Sequence, residues 1–170
     1  MTRIASLALA LLSAAVIASA CAIAAQPLRP TTDEQIDYGG FQSLARQVRA
    51  YRAQRLVTLA KFQAMATEPD TIILDARSAS AYAQGHIDGA INLSLTDFTA
   101  PALAAAITNP NTRILIYCNN NFANNVAPVV LKSAPLSLNI QTFINLFGYG
   151  YRNVYELGEV VDPAVRWIRA

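Results

Sequence analysis

The sequence is poor in metal ligands and in pairs of thiols. It has one histidine, His86, and two cysteines, Cys21 and Cys118. One histidine with scattered carboxylates supplies no local ligand pattern of the kind zinc sites need, so no metal and no cofactor are expected. A Cys-x-x-Cys motif is missing, which excludes the usual disulfide oxidoreductase. Charge is scarce as well: charged residues make up 14% of 170 positions, 13 Lys+Arg against 11 Asp+Glu, with no block of one sign. A basic footprint for nucleic acid is therefore lacking, and the length fits one domain.

What is present begins with a leader. Arg3 precedes an apolar run over residues 7–17, and small residues follow to Ala25. The run is shorter than the about 20 residues that span a bilayer, so residues 1–25 read as a secretory signal peptide and the protein as exported to the periplasm. Two fates of this segment stay open. Ala22-Ile23-Ala24 offers a small-x-small cleavage site. Ala18-Ser19-Ala20 stands directly before Cys21 and resembles the acceptor box of bacterial lipoproteins, although Ala18 occupies the usual place of leucine. Membrane contact is expected only through the signal or through a lipid on Cys21. Either fate leaves Cys118 as the single thiol of the mature chain, in a compartment where thiols tend to oxidise, and an unpaired thiol there asks for a chemical reason.

Residues 26–40 carry Pro27 and Pro30 without apolar periodicity and read as a linker. The domain is expected over 41–170. Phe41, Leu44, Val48 and Tyr51 recur at helical spacing, with Arg46, Arg49, Arg52 and Arg55 on what reads as a solvated face. A short strand at 55–58, a helical turn at 61–65 and a breaker at Glu68-Pro69-Asp70 follow. Thr71-Ile72-Ile73-Leu74 is a continuous β-branched run ending on Asp75, as expected of a parallel strand buried on both faces. A helix over 78–84, a turn over 85–89, a strand over 90–93 and a helix over 101–107 come next. A second buried strand, 112–117, delivers Cys118 at its carboxyl end. Helices over 126–132 and 141–147 and a strand over 153–157 complete the pattern. Alternating strands and helices call for an α/β fold with a central, mostly parallel sheet and helices on both faces.

In such sheets ligands bind outside the carboxyl ends of strands, where helix amino termini favour negative charge. A cysteine there is shifted toward thiolate, the nucleophilic form. The competing reading of Cys118 is a buried cysteine acting as a small hydrophobe.

Four separated pieces of the chain resemble the rhodanese-like family. They are Thr71-Ile72-Ile73-Leu74-Asp75-Ala76-Arg77; Tyr82 with Gly85-His86-Ile87 and Gly89-Ala90-Ile91-Asn92; Ile114-Leu115-Ile116-Tyr117-Cys118; and Gly150-Tyr151-Arg152-Asn153-Val154 with Leu157, Gly158 and Trp167. The resemblance implies a rhodanese-like fold and sulfur transfer, with Cys118 carrying a persulfide taken from a small sulfur donor and passed to a thiol or other thiophilic acceptor. The loop Asn119, Asn120, Asn121, Phe122, Ala123 and Asn124 would bind the donor and wrap the sulfur in backbone N–H groups. It also implies a structural hydrogen-bonding role for His86, and Asp75 with Arg77 reads as a polar pair that orders the strand ends. The loop departs from active members in two places: Asn121 stands where glycine is common, as a residue that tolerates left-handed backbone, and Ala123 stands where a basic residue is common. Asn124 occupies the place of the arginine that related phosphatases use. These departures motivate the alternative, a catalytically inactive binding or regulatory module with an unknown protein partner. Residues 133–139 look inserted relative to compact family members, as a lid or partner surface or as added packing.

Overall fold

The computed structural model describes residues 35–123 and 130–162, together with the backbone of 167–168. The leader over 1–25 with Cys21, most of the 26–40 segment, Asn124 and the first part of the helix expected over 126–132 lie outside the described residues.

Helix α1 spans Tyr38–Ala53 and so begins inside the segment read as linker. Its start is set by Asp37, whose Oδ1 accepts from the N–H of Gly40 at 2.7 Å; a Cβ on Gly40 would stand 2.2 Å from that carboxylate. This cap satisfies one of the orphan N–H groups of a first helical turn. The apolar stripe of α1 packs on helix α5, Leu138–Gly148, where Tyr51 meets Phe143 and Phe147 edge-on at 6.4 and 5.2 Å. The arginine face divides. Arg46 and Arg49 are exposed, whereas Arg55 lies over the rings of Tyr51 and Tyr155 and Arg52 turns onto a carboxylate described below.

The strands are β1 (Leu56–Val57), β2 (Thr71–Asp75), β3 (His86–Ile87), β4 (Ala90–Asn92), β5 (Arg113–Tyr117), β6 (Val154–Leu157) and β7 (Trp167–Ile168). Five form one sheet in the order β1-β6-β5-β2-β4, with every pairing parallel. The centre is β2 against β5, in register from Thr71 opposite Arg113 to Asp75 opposite Tyr117. Side chains alternate across the sheet. Leu74, Ile114, Ile116 and Val154 face Phe143, Leu146 and Leu103, from α5 and α4 (Ala100–Ala106). On the opposite face Ile73, Leu115, Tyr117 and Leu157 meet Phe62 and Met65 of α2 (Leu59–Ala66). Both faces are covered, which is why the central strands read as unbroken apolar runs. Phe143, fully buried between α1 and the sheet, is a direct gauge of this layer: Phe143→Ala is expected to lower the unfolding free energy by about 3–5 kcal/mol in urea denaturation.

Two expectations from periodicity change. Residues 85–89, read as a turn, contain β3, which pairs antiparallel with β7; a partner 80 positions away in the chain leaves no local trace. The helix expected over 126–132 does not extend through Val130, Leu131 and Lys132, which are neither helix nor strand. Their backbone groups bond to side chains of the loop after β5, as follows.

Candidate functional site

Because β2 and β5 are neighbours in register, their carboxyl ends bring Asp75, Arg77 and Cys118 to one edge of the sheet. Asp75 is fully buried rather than facing solvent. Its carboxylate takes hydrogen bonds from Arg77 Nε at 3.0 Å, Arg77 Nη2 at 2.6 Å and Tyr117 Oη at 2.6 Å. Burial alone would lower the Arg77 pKa, but the hydrogen bonds and charge of Asp75 outweigh it, and the guanidinium stays above its ordinary value. Burial first, and then the neighbouring Asp75 charge, push the Tyr117 phenol far up, so it serves as a permanent donor. Arg77 also donates to Gly85 O at 2.7 Å and Asn119 Oδ1 at 3.1 Å. The pair is thus a fixed strut beneath the loop. His86 has the local role expected of it: Nδ1 donates to Tyr82 O at 2.9 Å and the two rings stack at 3.7 Å.

Cys118 is the first residue past β5, extended at φ −149° and ψ −178°, and a three-residue 3-10 turn, Asn119–Asn121, follows it. The thiol has the rim position and the burial together. It is 1% exposed, and Sγ lies 3.4 Å from Ser137 Oγ. Ser137 belongs to the 133–139 segment, which therefore contacts the sulfur as well as adding to the packing.

The asparagine side chains hold the loop and its cover together. Asn119 Nδ2 donates to Val130 O at 2.8 Å. Asn120 clips Lys132 twice, donating through Nδ2 to its carbonyl at 2.7 Å and accepting through Oδ1 from its N–H at 3.2 Å. These side-chain bonds take the place of the i to i−4 ladder there, the competition with secondary structure for which asparagine is known. Asn121 has ordinary negative φ, since Asp70 is the one non-glycine residue with positive φ among the described residues. Its side chain bonds in four directions: Oδ1 accepts from Cys118 N at 3.0 Å and Asn139 Nδ2 at 2.9 Å, while Nδ2 donates to Leu157 O at 2.7 Å and Glu159 O at 3.2 Å. Phe122 is buried against Tyr117 in the core, and Ala123 is exposed, its N–H bonded to Val161 O.

The N–H groups expected to ring the sulfur are mostly engaged within the chain. Cys118 N–H bonds to Asn121 Oδ1, Asn121 N–H to Cys118 O, and Phe122 N–H to Asn119 O. Those of Asn119 and Asn120 have no acceptor among the described residues.

Beside the loop lies a polar line centred on the buried Glu156 that periodicity did not reveal. Glu156 of β6 accepts from Arg52 Nε at 2.5 Å and Nη2 at 2.6 Å, and from Asn139 Nδ2 at 3.2 Å. The hydrogen bonds to Glu156 raise the Arg52 pKa against the cost of burial, and the charges of Glu156 and of a Cys118 thiolate act in the same direction. The available signal was a glutamate inside an otherwise apolar strand, since a buried charge requires a partner. Two clefts flank the loop and share Asn120. The smaller, about 310 Å³, is lined by Arg52, Ser137, Asn139 and Glu156; the larger, about 410 Å³, by Arg77, Ser78, Ser94, Thr96, Lys132 and Gln141. No group of three metal-ligating side chains occurs among the described residues.

The model of the rhodanese-like domain matches residues 58–158. The chain belongs to the rhodanese-like family. Its family region thus runs from the cap of α2 to just past β6, and α1 with Arg52 stands before it. Solved structures of similar fold include a rhodanese with anions from E. coli, 22% identical over 59% of this chain and 99% of that one with a TM-score of 0.41. A Bacillus halodurans protein is 20% identical, covering 66% of this chain and 72% of its own at a TM-score of 0.46. The rhodanese-like domain of an Anabaena protein is 24% identical, covering 61% and 67% at 0.40. No curated protein matches the sequence.

Proposed function

We propose that this rhodanese-like domain is an extracytoplasmic sulfurtransferase that carries sulfane sulfur on Cys118. The observation that carries this reading is the placement of the Cys118 thiol at the carboxyl end of the central strand β5, directly before two N–H groups, of Asn119 and Asn120, that have no acceptor among the described residues. Preorganised donors of this kind favour a sulfur anion over a neutral thiol. In the first half-reaction the Cys118 thiolate attacks the outer sulfur of a donor, a sulfur–sulfur bond forms as the donor's own breaks, and the donor leaves as its reduced anion. An acceptor nucleophile then takes the outer sulfur and returns the thiolate. The Ser137 hydroxyl, 3.4 Å from Sγ, is a hydrogen-bond partner for the sulfur in either step. The basic start and short apolar run of residues 1–25 support an exported location, and acylation at Cys21 is read by detergent partitioning of the expressed protein.

A second reading, a binding module without turnover, is favoured by the burial of Cys118 and by the lack of a cationic side chain from Asn119 to Ala123. Intact mass separates the two. After polysulfide treatment of reduced protein, wild type is expected to gain one sulfur that cyanide removes as thiocyanate, and Cys118→Ser none. Wild type that keeps its mass under these conditions supports the binding module.

A further inference from the structure

Arg52 belongs to α1, ahead of the region that matches the family, yet an unbroken line of polar contacts joins it to the cysteine loop. Its guanidinium pairs with Glu156 at 2.5 and 2.6 Å, and Glu156 also accepts from Asn139 Nδ2 at 3.2 Å. The same Nδ2 donates to Asn121 Oδ1 at 2.9 Å, and that oxygen accepts from Cys118 N–H at 3.0 Å. The Asn139 amide gives its hydrogens to these two acceptors, while its Oδ1 has no partner among the described residues, so Glu156 and Asn121 set its orientation. Glu156 thus orders the loop, but its charge works against the thiol: it is 4% exposed, and a buried negative charge beside a cysteine opposes a second one. Arg52 cancels that charge with a two-pronged pair. The Arg52 pKa is raised first by the hydrogen bonds to Glu156, against the cost of burial, and then by the charges of Glu156 and of a Cys118 thiolate; such coupling is reciprocal. The other charged groups around the loop are engaged elsewhere. Asp75 and Arg77 pair with each other, Tyr117 donates to Asp75, Glu159 accepts from Leu59 N–H at 2.6 Å, and Lys132 is tied at its main chain by Asn120.

We infer that Arg52 is a positioning residue of the Cys118 site: it neutralises the Glu156 carboxylate so that a thiolate forms at Cys118 and, through Glu156, Asn139 and Asn121, holds the Cys118 N–H in place. The inference rests on Cys118 working as a thiolate, the premise of the sulfurtransferase reading, and on no particular donor. It attaches consequences of opposite sign to the two halves of one ion pair. Removing Arg52 leaves an uncompensated negative charge beside the loop. Removing the Glu156 charge leaves an uncompensated positive one. A pair that served stability alone would respond to both losses in the same direction.

The ultraviolet thiolate absorbance of the full chain, taken as the difference from Cys118→Ser, gives the pH midpoint of Cys118 ionisation without a reagent having to enter the site. The Arg52 side chain is 32% exposed, so its effect is that of a partly screened charge. Arg52→Gln is expected to raise the midpoint by about half a pH unit, or about threefold in thiolate fraction. Glu156→Gln, whose side chain still offers Asn139 an acceptor, is expected to lower it by a similar amount. Arg52→Lys keeps the wild-type midpoint, and the double variant Arg52→Gln with Glu156→Gln returns close to it. Midpoints that move together in the single variants, or a single variant that stays at the wild-type value, overturn the inference. If Arg52→Gln does not fold, Glu156→Gln decides alone: a lower midpoint supports the inference, and an unchanged or higher one overturns it. Sulfur uptake followed by intact mass keeps the two readings apart. Opposite midpoint shifts in a protein that takes no sulfur leave this inference standing and remove the transferase reading; sulfur uptake with unmoved midpoints does the reverse.

Discussion

Replacing Asp75 by alanine is expected to remove about 3–5 kcal/mol of folding stability, the penalty for leaving one member of a buried ion pair alone. Arg77 would keep its charge at a place where its side chain is almost inaccessible, and Tyr117 Oη would lose the carboxylate that accepts its proton. The affected groups lie at the central pairing of the sheet, where Asp75 stands opposite Tyr117, so the loss extends to the base of the cysteine loop through the Arg77 to Asn119 bond. Small domains have about 5–15 kcal/mol in total, and the variant should therefore unfold at a clearly lower urea midpoint. The double variant Asp75→Leu with Arg77→Met is expected to recover much of the loss, since an apolar pair removes the stranded charge. A change below about 1 kcal/mol in Asp75→Ala would mean that water reaches Arg77 and that the strut is not buried in solution.

Asn121→Gly is the second large effect, and its direction opposes what family resemblance suggests. The resemblance implies glycine at this place, so the substitution looks like a restoration. Here it removes a side chain that makes four hydrogen bonds, each worth about 1 kcal/mol net, and adds the backbone freedom of glycine. The expected loss is about 4–5 kcal/mol, read by denaturation. The Cys118 N–H and the Asn139 amide lose their shared acceptor at the same time. Alkylation of Cys118 by iodoacetamide in the native state should consequently accelerate, because the loop loses its anchor on Leu157 and Glu159 and its Asn139 tie to the segment that holds Ser137. A variant as stable as wild type, with unchanged alkylation, would show that the turn is held by its backbone alone.

Both effects arise from polar side chains in tertiary contact, and this is where sequence reading and structure part. The strands at 71–75 and 113–117 were legible because a strand buried on both faces must be apolar on both, whatever its neighbours. The place of Cys118 after β5 followed from the same run ending in polar residues. Helix α1 was legible from its stripe, while its start was missed because Asp37 caps through a side chain that periodicity does not weigh. The sequence reads the asparagine loop as donor-binding; the partners of its side chains, Val130, Lys132, Asn139, Leu157 and Glu159, lie 11 to 38 residues away.

The sequence by itself determined the alternation of buried strands and helices, and with it the parallel sheet and the end of that sheet where the thiol stands, because hydrophobic burial follows local spacing. Tertiary structure alone decided that Ser137 meets the sulfur, that Asn121 ties the loop through its side-chain bonds, and that Arg52, Glu156 and Lys132 flank the loop. Hydrogen bonds and ion pairs are satisfied by whichever groups the fold brings within reach, so their partners are set by distance in space and leave no period in the chain.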